Sequence, residues 1–245
     1  MRRLKILVEY DGTGLVGWQK QNNGPSVQGH LEDALFRMLE TPTDLVGSSR
    51  TDAGVHALGQ VAAFSTTKDI PTIGFLRGLN TYLPPSISVR SCTEVSPDFH
   101  PRFESIGKTY RYKILIDMVP SPLLHHRAWR RKKPLNLNAM REASTALIGE
   151  HDFSAFRASG CGAKHPTRKI TLVDIQENDR FIDVIVEGNA FLRHMVRILT
   201  GTLVEVGEGT KNVSATRLAL ESKNRSDAGL TAPPQGLYLE KVHYP

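Results

Sequence analysis

Cysteine is nearly absent: Cys92 and Cys161 are the only two among 245 residues. Two thiols exclude a disulfide framework and any multi-cysteine zinc module, and they suit a reducing compartment, so a cytoplasmic protein is expected. Long apolar runs are missing too. The longest, Val61 to Phe64, is far short of the roughly 20 residues a membrane helix requires, so no span is expected. Met1, Arg2 and Arg3 pass directly into the alternating Leu4, Ile6 and Val8, which leaves no apolar leader to predict. Neither sign of charge dominates; 31 basic against 25 acidic residues give a net charge of +6, which is mildly basic and no tail. Hydrophobic residues at 40% and charged residues at 23% exclude disorder and fibrous repeats. The length predicts one to two domains that bury roughly 70 to 75% of the unfolded surface.

What is present is periodicity. Residues 4–10 alternate as a strand that ends at the turn signals Gly12 and Gly14. Ser26 reads as an N-cap, after which Val27, Leu31, Ala34, Leu35, Met38 and Leu39 make one helical face ending before Pro42. Strands follow at 43–49 and 58–66. A helix carrying Ile73, Leu76, Leu79 and Leu83 is stopped by Pro84 and Pro85, and a strand at 87–95 completes the half. The second half repeats the order: a strand at 108–116, a helix at 138–148, strands at 169–177 and 180–187 around an Asn178-Asp179 turn, a helix at about 190–206, a shorter one near 214–222 and a strand at 237–243. The pattern predicts an α+β fold of two ferredoxin-like (βαββαβ) units sharing a central, mainly antiparallel sheet flanked by helices. The expected division is residues 1–105 and 106–245.

Several groups can carry chemistry. Ser48 to His56 is too polar and too long for a minimal hairpin, and within it Arg50 lies two residues from Asp52, where a guanidinium can keep a carboxylate ionised. An Asx-type turn is the plainer account of the same aspartate. Tyr110 and Tyr112 alternate along a strand, as base-stacking aromatics or as core. Arg193, His194 and Arg197 form a cationic ridge beside an apolar helix face. Arg127, Arg130, Arg131, Lys132 and Lys133 surround Trp129, and Arg157, Lys164, Arg168 and Lys169 flank Gly160 to Gly162; both sets are candidate phosphate contacts. Cys161 with His165, or His125 with His126, lacks the further ligands a metal requires, so no metal is expected. Gly12, Gly14 and Gly17 have the wrong spacing for a dinucleotide or Walker loop, which predicts no nucleotide cofactor.

The segments YDGTGLVGWQKQ, SVQGHLEDAL, SRTDAGVHALGQVAAF, LNTYLP, FHPRFESIGKTYRY, EHDFSAFRASGC, PTRKI, GNAFLRHMVRILTGTLVEVGEG and TAPPQGLYL follow one another along the whole chain. In this order they resemble the tRNA pseudouridine synthase A (TruA) family. The resemblance implies the pseudouridine synthase fold, with the N-terminal unit carrying the catalytic loop and the C-terminal unit completing the active-site cleft. It also implies a cofactor-free isomerisation of uridine to pseudouridine at positions 38, 39 and 40 of the tRNA anticodon stem-loop, carried out by a homodimer. It places the catalytic aspartate on Asp52, the arginine that displaces the target base on Arg50, and the tyrosine against the uracil on Tyr110. The arginine paired with the catalytic carboxylate falls on Arg197 and an apolar pocket wall on Leu237, with Arg102 and Arg168 as further substrate contacts. One departure stands out: Ser49 occupies a position where the family often has glycine. Two rivals remain at this stage. A non-catalytic RNA-binding protein would share the paired units and the aromatic strand, whereas a glycoside hydrolase needs two carboxylates and the RTDAGVHA block offers one.

Overall fold

A computed structural model describes residues 1–245. The elements in chain order are β1 (Arg2–Tyr10), α1 (Val27–Leu39), β2 (Val46–Gly47), β3 (His56–Thr66), α2 (Thr72–Tyr82), β4 (Ile87–Val95), β5 (Gly107–Ile116), β6 (Trp129–Arg131), α3 (Leu137–Ser144), β7 (Gly149–Asp152), β8 (Thr167–Asn178), β9 (Phe181–Gly188), α4 (Met195–Gly207), α5 (Ala215–Ser222) and β10 (Leu237–His243). They gather into two compact units, Met1–Ile106 with Tyr238–Pro245, and Gly107–Leu237. Both are α+β, and nearly all strand pairs are antiparallel. No helix is long and apolar enough to cross a membrane.

In the first unit β1 is central. It pairs antiparallel with β3 on one side and β4 on the other, and β2 adds to the far edge of β3, which gives the order β4-β1-β3-β2 of a ferredoxin-like unit. Leu4, Ile6, Val8 and Tyr10 alternate inward along β1, as a half-buried strand requires. Ser26 caps α1 by accepting from the Gly29 N–H at 3.2 Å, and Val27, Leu31, Ala34, Leu35 and Leu39 form its buried face. The face of α2 differs from the expected one. Phe75 and Leu79 are buried, with Phe75 edge-on to Phe64 at 5.4 Å, while Ile73 is exposed, because one aromatic on a short helix sets its rotation against the sheet. The expected strand at 43–49 contracts to Val46–Gly47, where Gly47 lies against the Trp18 indole and a Cβ would come within 2.5 Å of the ring.

The second unit has the order β5-β9-β8-β7, all antiparallel, with β6 parallel on β5. Sequence periodicity missed β6 and β7, which are three and four residues long and too short to show a period. The β8-β9 turn is Asp179-Arg180, one residue later than expected, with Asp179 in the left-handed region (φ 54°). The helix expected over 138–148 ends at Ser144 and tightens into one 3-10 turn, where the hydroxyls of Ser144 and Thr145 bond back to the carbonyls of Arg141 and Glu142. The helix expected from 190 begins at Met195. This removes Arg193 from the predicted ridge: its Nη1 donates to the Ser159 carbonyl, whereas Arg197 Nε donates to that of Ala232.

Tyr112 is the best-buried polar anchor of this unit. Fully enclosed, it packs edge-on to Trp129 at 6.1 Å and its hydroxyl donates to the Pro233 carbonyl at 2.7 Å. Burial pushes its pKa well above the usual tyrosine value, against the opposing charge of Arg197. Because the folded pKa is raised, the stability this tyrosine confers is complete below its ordinary pKa of about 10 and drains away as pH climbs through the folded value. Tyr112→Phe should therefore cost about 1–3 kcal/mol at neutral pH by leaving the Pro233 carbonyl unpaired. It should also flatten the alkaline loss of stability, as read from urea unfolding across the alkaline range.

Candidate active site

The segment Ser48–Val55 is held from three sides within the first unit. At its upstream end the buried Gln60 side chain donates from Nε2 to the Ser49 carbonyl at 2.9 Å, and Ser48 N donates to the Val61 carbonyl at 2.8 Å. In the middle Thr51 is buried, its hydroxyl 2.7 Å from the Tyr10 hydroxyl and its carbonyl accepting from Trp18 N at 3.1 Å. Downstream, Gly54 N donates to the Leu15 carbonyl, and Val55 N donates to the Asp52 carbonyl, closing a turn whose first residue is Asp52. Ser49 keeps an ordinary backbone conformation, so a serine in place of glycine brings no left-handed strain.

The seat for this loop is the glycine-rich stretch after β1. A Cβ on Gly12 would overlap the Val55 carbonyl oxygen. At Gly17 a Cβ would overlap the Thr51 carbonyl oxygen, and φ of +107° is a conformation L side chains rarely adopt. The same stretch serves α1, since the carbonyls of Gly17 and Trp18 accept from Val27 N and Gln28 N at the helix start. His56, 2% exposed, accepts the Gly12 N–H at Nδ1 (3.0 Å) and stacks on Tyr238 with centroids 4.7 Å apart. A proton on Nε2 is the tautomer that this bond selects. Tyr10, Gly12, Gly17, Thr51 and His56 were thus invisible as site residues; the one available signal was a cluster of glycines after a strand that matched no phosphate loop.

The predicted residues divide between the units. Arg50, exposed, and Asp52, half-buried, share the 48–55 loop, and Arg102 stands exposed on the connection after β4. In the second unit Tyr110 is 7% exposed on β5 and meets Phe191 edge-on at 5.1 Å. Arg197 lies in the first turn of α4, and besides its Nε bond its carbonyl accepts from Ala232 N at 3.1 Å. This ties the 232–236 segment to the helix. Gly236 lies on the Tyr112 ring, where a Cβ would come within 2.6 Å, and Leu237 follows it, buried. Arg168 Nη1 donates to the carbonyls of His165 and Thr167, and its Nε is buried without a partner.

Not all of the expected phosphate contacts are available. Trp129 is buried, Arg131 pairs with Glu208, and Arg130 donates to the carbonyls of Asp117 and Met118. Lys132 and Lys133 remain exposed. No group of three or more His, Cys, Asp or Glu side chains is placed to hold a metal ion.

A loop with a fixed carboxylate, set in an α+β framework with basic surfaces, defines a class that sequence comparison names. A family model described as tRNA pseudouridine synthase matches residues 6–104 and 143–245. The chain is 51% identical to a tRNA pseudouridine synthase A of Geobacter sp. (strain M21), over 100% of both chains. It is 49% identical to that of Citrifermentans bemidjiense, covering 100% of this chain and 98% of the relative, and 48% identical to that of Geobacter sulfurreducens, over 100% of both. The chain belongs to the tRNA pseudouridine synthase A family: it is an isomerase that pseudouridylates tRNA.

The loop seat gives a direct test. Gly14 has a left-handed φ of +76° but nothing within 4 Å of a Cβ, so Gly14→Ala carries only the backbone cost of about 1–2 kcal/mol. Gly17→Ala adds overlap with the Thr51 carbonyl, about 1–3 kcal/mol more, and should reduce turnover as well. Thermal melts and turnover of the two variants check this; equal costs would remove the close approach as the constraint.

Proposed function

We propose that the enzyme isomerises uridine at positions 38, 39 and 40 of the tRNA anticodon stem-loop, with Asp52 as the acting carboxylate. The observation that carries this reading is the RTDAGVHA loop, anchored from three sides with Asp52 opening its turn. The reaction breaks the N1–C1′ bond, turns the uracil and joins C5 to C1′; C5 loses a proton and N1 gains one, so nothing is consumed and no cofactor is called for. A single ionised carboxylate serves it, by adding to C1′ or C6 or by taking the 2′ proton. Arg197 is the carboxylate's partner in this scheme.

A stacked target base must first leave its stack at a cost of a few kcal/mol. Arg50, exposed and mounted two residues from Asp52, fills the space the base vacates, and Tyr110 packs against the extruded uracil, which offsets part of the cost. The Tyr110 hydroxyl or a water accepts the C5 proton. Leu237 supplies an apolar wall, and Arg102 and Arg168 contact the RNA. In this reading the first unit carries the catalytic loop, the enzyme acts as a homodimer, and it works in the cytoplasm.

Asp52→Asn should abolish tritium release from tRNA labelled at uridine C5 while leaving tRNA affinity near that of the parent. Normal release would return Asp52 to the role of a turn residue and favour a protein that binds RNA by other means. Arg197→Ala should lower kcat by about a hundredfold or more, the scale of stranding one member of a paired charge. Single-turnover rates at saturating tRNA are the measurement, and an unchanged rate would exclude the pairing.

A further inference from the structure

The second unit opens a cavity of about 600 Å³ between the segment after β7 and the end of α5. Arg157, Lys223 and Arg225 line it together with Ser154, Ser159 and Cys161, and no carboxylate does. The three cations are held differently. The Arg225 guanidinium is fixed, donating to the Gly229 carbonyl at 2.8 Å and to Thr231 Oγ1 at 3.1 Å. Lys223, the left-handed C-cap of α5, reaches Asp152 Oδ2 at 3.4 Å. Arg157 is half-buried, and its guanidinium has no hydrogen bond, ion pair or ring contact within the chain.

Burial pushes the Asp152 carboxyl up, but hydrogen bonds from Ser154 and Lys223 outweigh this and hold it below the ordinary carboxylate range, so it stays ionised at neutral pH. One carboxylate beside three cations leaves two positive charges uncompensated at a concave surface. A half-buried guanidinium without a partner matches an acceptor that presents two oxygens, and the phosphodiester is the group of that shape and charge that a polynucleotide offers. We propose that this cavity seats a backbone phosphate of the tRNA substrate, with Arg157 as its bidentate contact and Lys223 as a point charge. The inference rests on tRNA being the substrate, and adds a contact that none of the residues assigned above provides.

Cys161 reports on the cavity from its own wall. The chain's other thiol, Cys92, is pushed up to about 11 by burial, against the lowering charge of Arg2, so mild alkylation reaches Cys161 first. Saturating tRNA should slow iodoacetamide labelling of Cys161 in the full chain several-fold, and millimolar inorganic phosphate at the same ionic strength should not. An unprotected Cys161 in a complex that still holds its tRNA overturns the proposal, as does equal protection by inorganic phosphate alone. The double variant Arg157→Gln, Lys223→Gln should lower the slope of log affinity against log salt by about 2, close to 0.9 per lost phosphate contact. Lys68→Gln, which removes an exposed charge from the first unit, should leave that slope unchanged. A double variant with the parent slope, or a Lys68→Gln slope reduced as far, counts against the site. Labelling and binding are read without turnover, so an inactive enzyme with a protected Cys161 would sink the isomerase residue assignments and leave this one standing.

Discussion

Two stretches of backbone touch without side chains between them where β1 gives way to the glycine-rich turn. Gly12 lies on the Val55 carbonyl and Gly17 on the Thr51 carbonyl, leaving no room for a methyl group at either place. Much of the first unit answers to that contact. The start of α1 can hand its amide protons to Gly17 and Trp18 because this stretch is fixed, and Thr51 can bury its hydroxyl against Tyr10 because the loop cannot lift. Asp52 is held at its backbone by neighbours that have no chemistry of their own. A carboxylate that must act within a narrow geometry gains from such a mount, since its position is settled during folding and not at the moment of reaction.

The second unit uses polar contacts for a similar purpose. The 232–236 segment carries no regular strand or long helix, and three bonds hold it: Tyr112 hydroxyl to Pro233, Arg197 Nε to Ala232, and Ala232 N to the Arg197 carbonyl. An arginine so held presents the rest of its guanidinium in a fixed orientation. The planar fork makes this possible; an ammonium could not be tied at one nitrogen and aimed with the others.

Much of this was legible in the sequence, in proportion to how local the controlling interaction is. The Ser26 cap, the α1 face and the inward alternation of β1 depend on neighbours within a few residues, and their residue patterns show it. Family segments identified the RTDAGVHA block that local chemistry alone left as an ordinary turn. Long-range choices stayed hidden. Phe75 and not Ile73 sets the face of α2 because of Phe64, eleven residues earlier, and Arg131 is spent on Glu208, 77 residues away. Basic residues around Trp129 looked like a nucleic-acid surface only because a sequence does not say which cations already have partners. Gly12 and Gly17 were misjudged for the same reason, since the backbone they accommodate lies far along the chain.

The last strand has a consequence for how the protein is made. β10 runs parallel to β3, pairing Tyr238 with His56 and Leu239 with Ala57; His243 accepts from Ile106 N, and the Tyr244 hydroxyl donates to the Pro101 carbonyl. These residues close the unit that Met1–Ile106 begins. A ribosome therefore finishes the whole second unit before it releases the strand that completes the first, and His56 waits for its stacking partner until the final residues emerge. The catalytic loop matures last although it is translated early, so a nascent or C-terminally clipped chain carries the RTDAGVHA sequence on an unfinished scaffold.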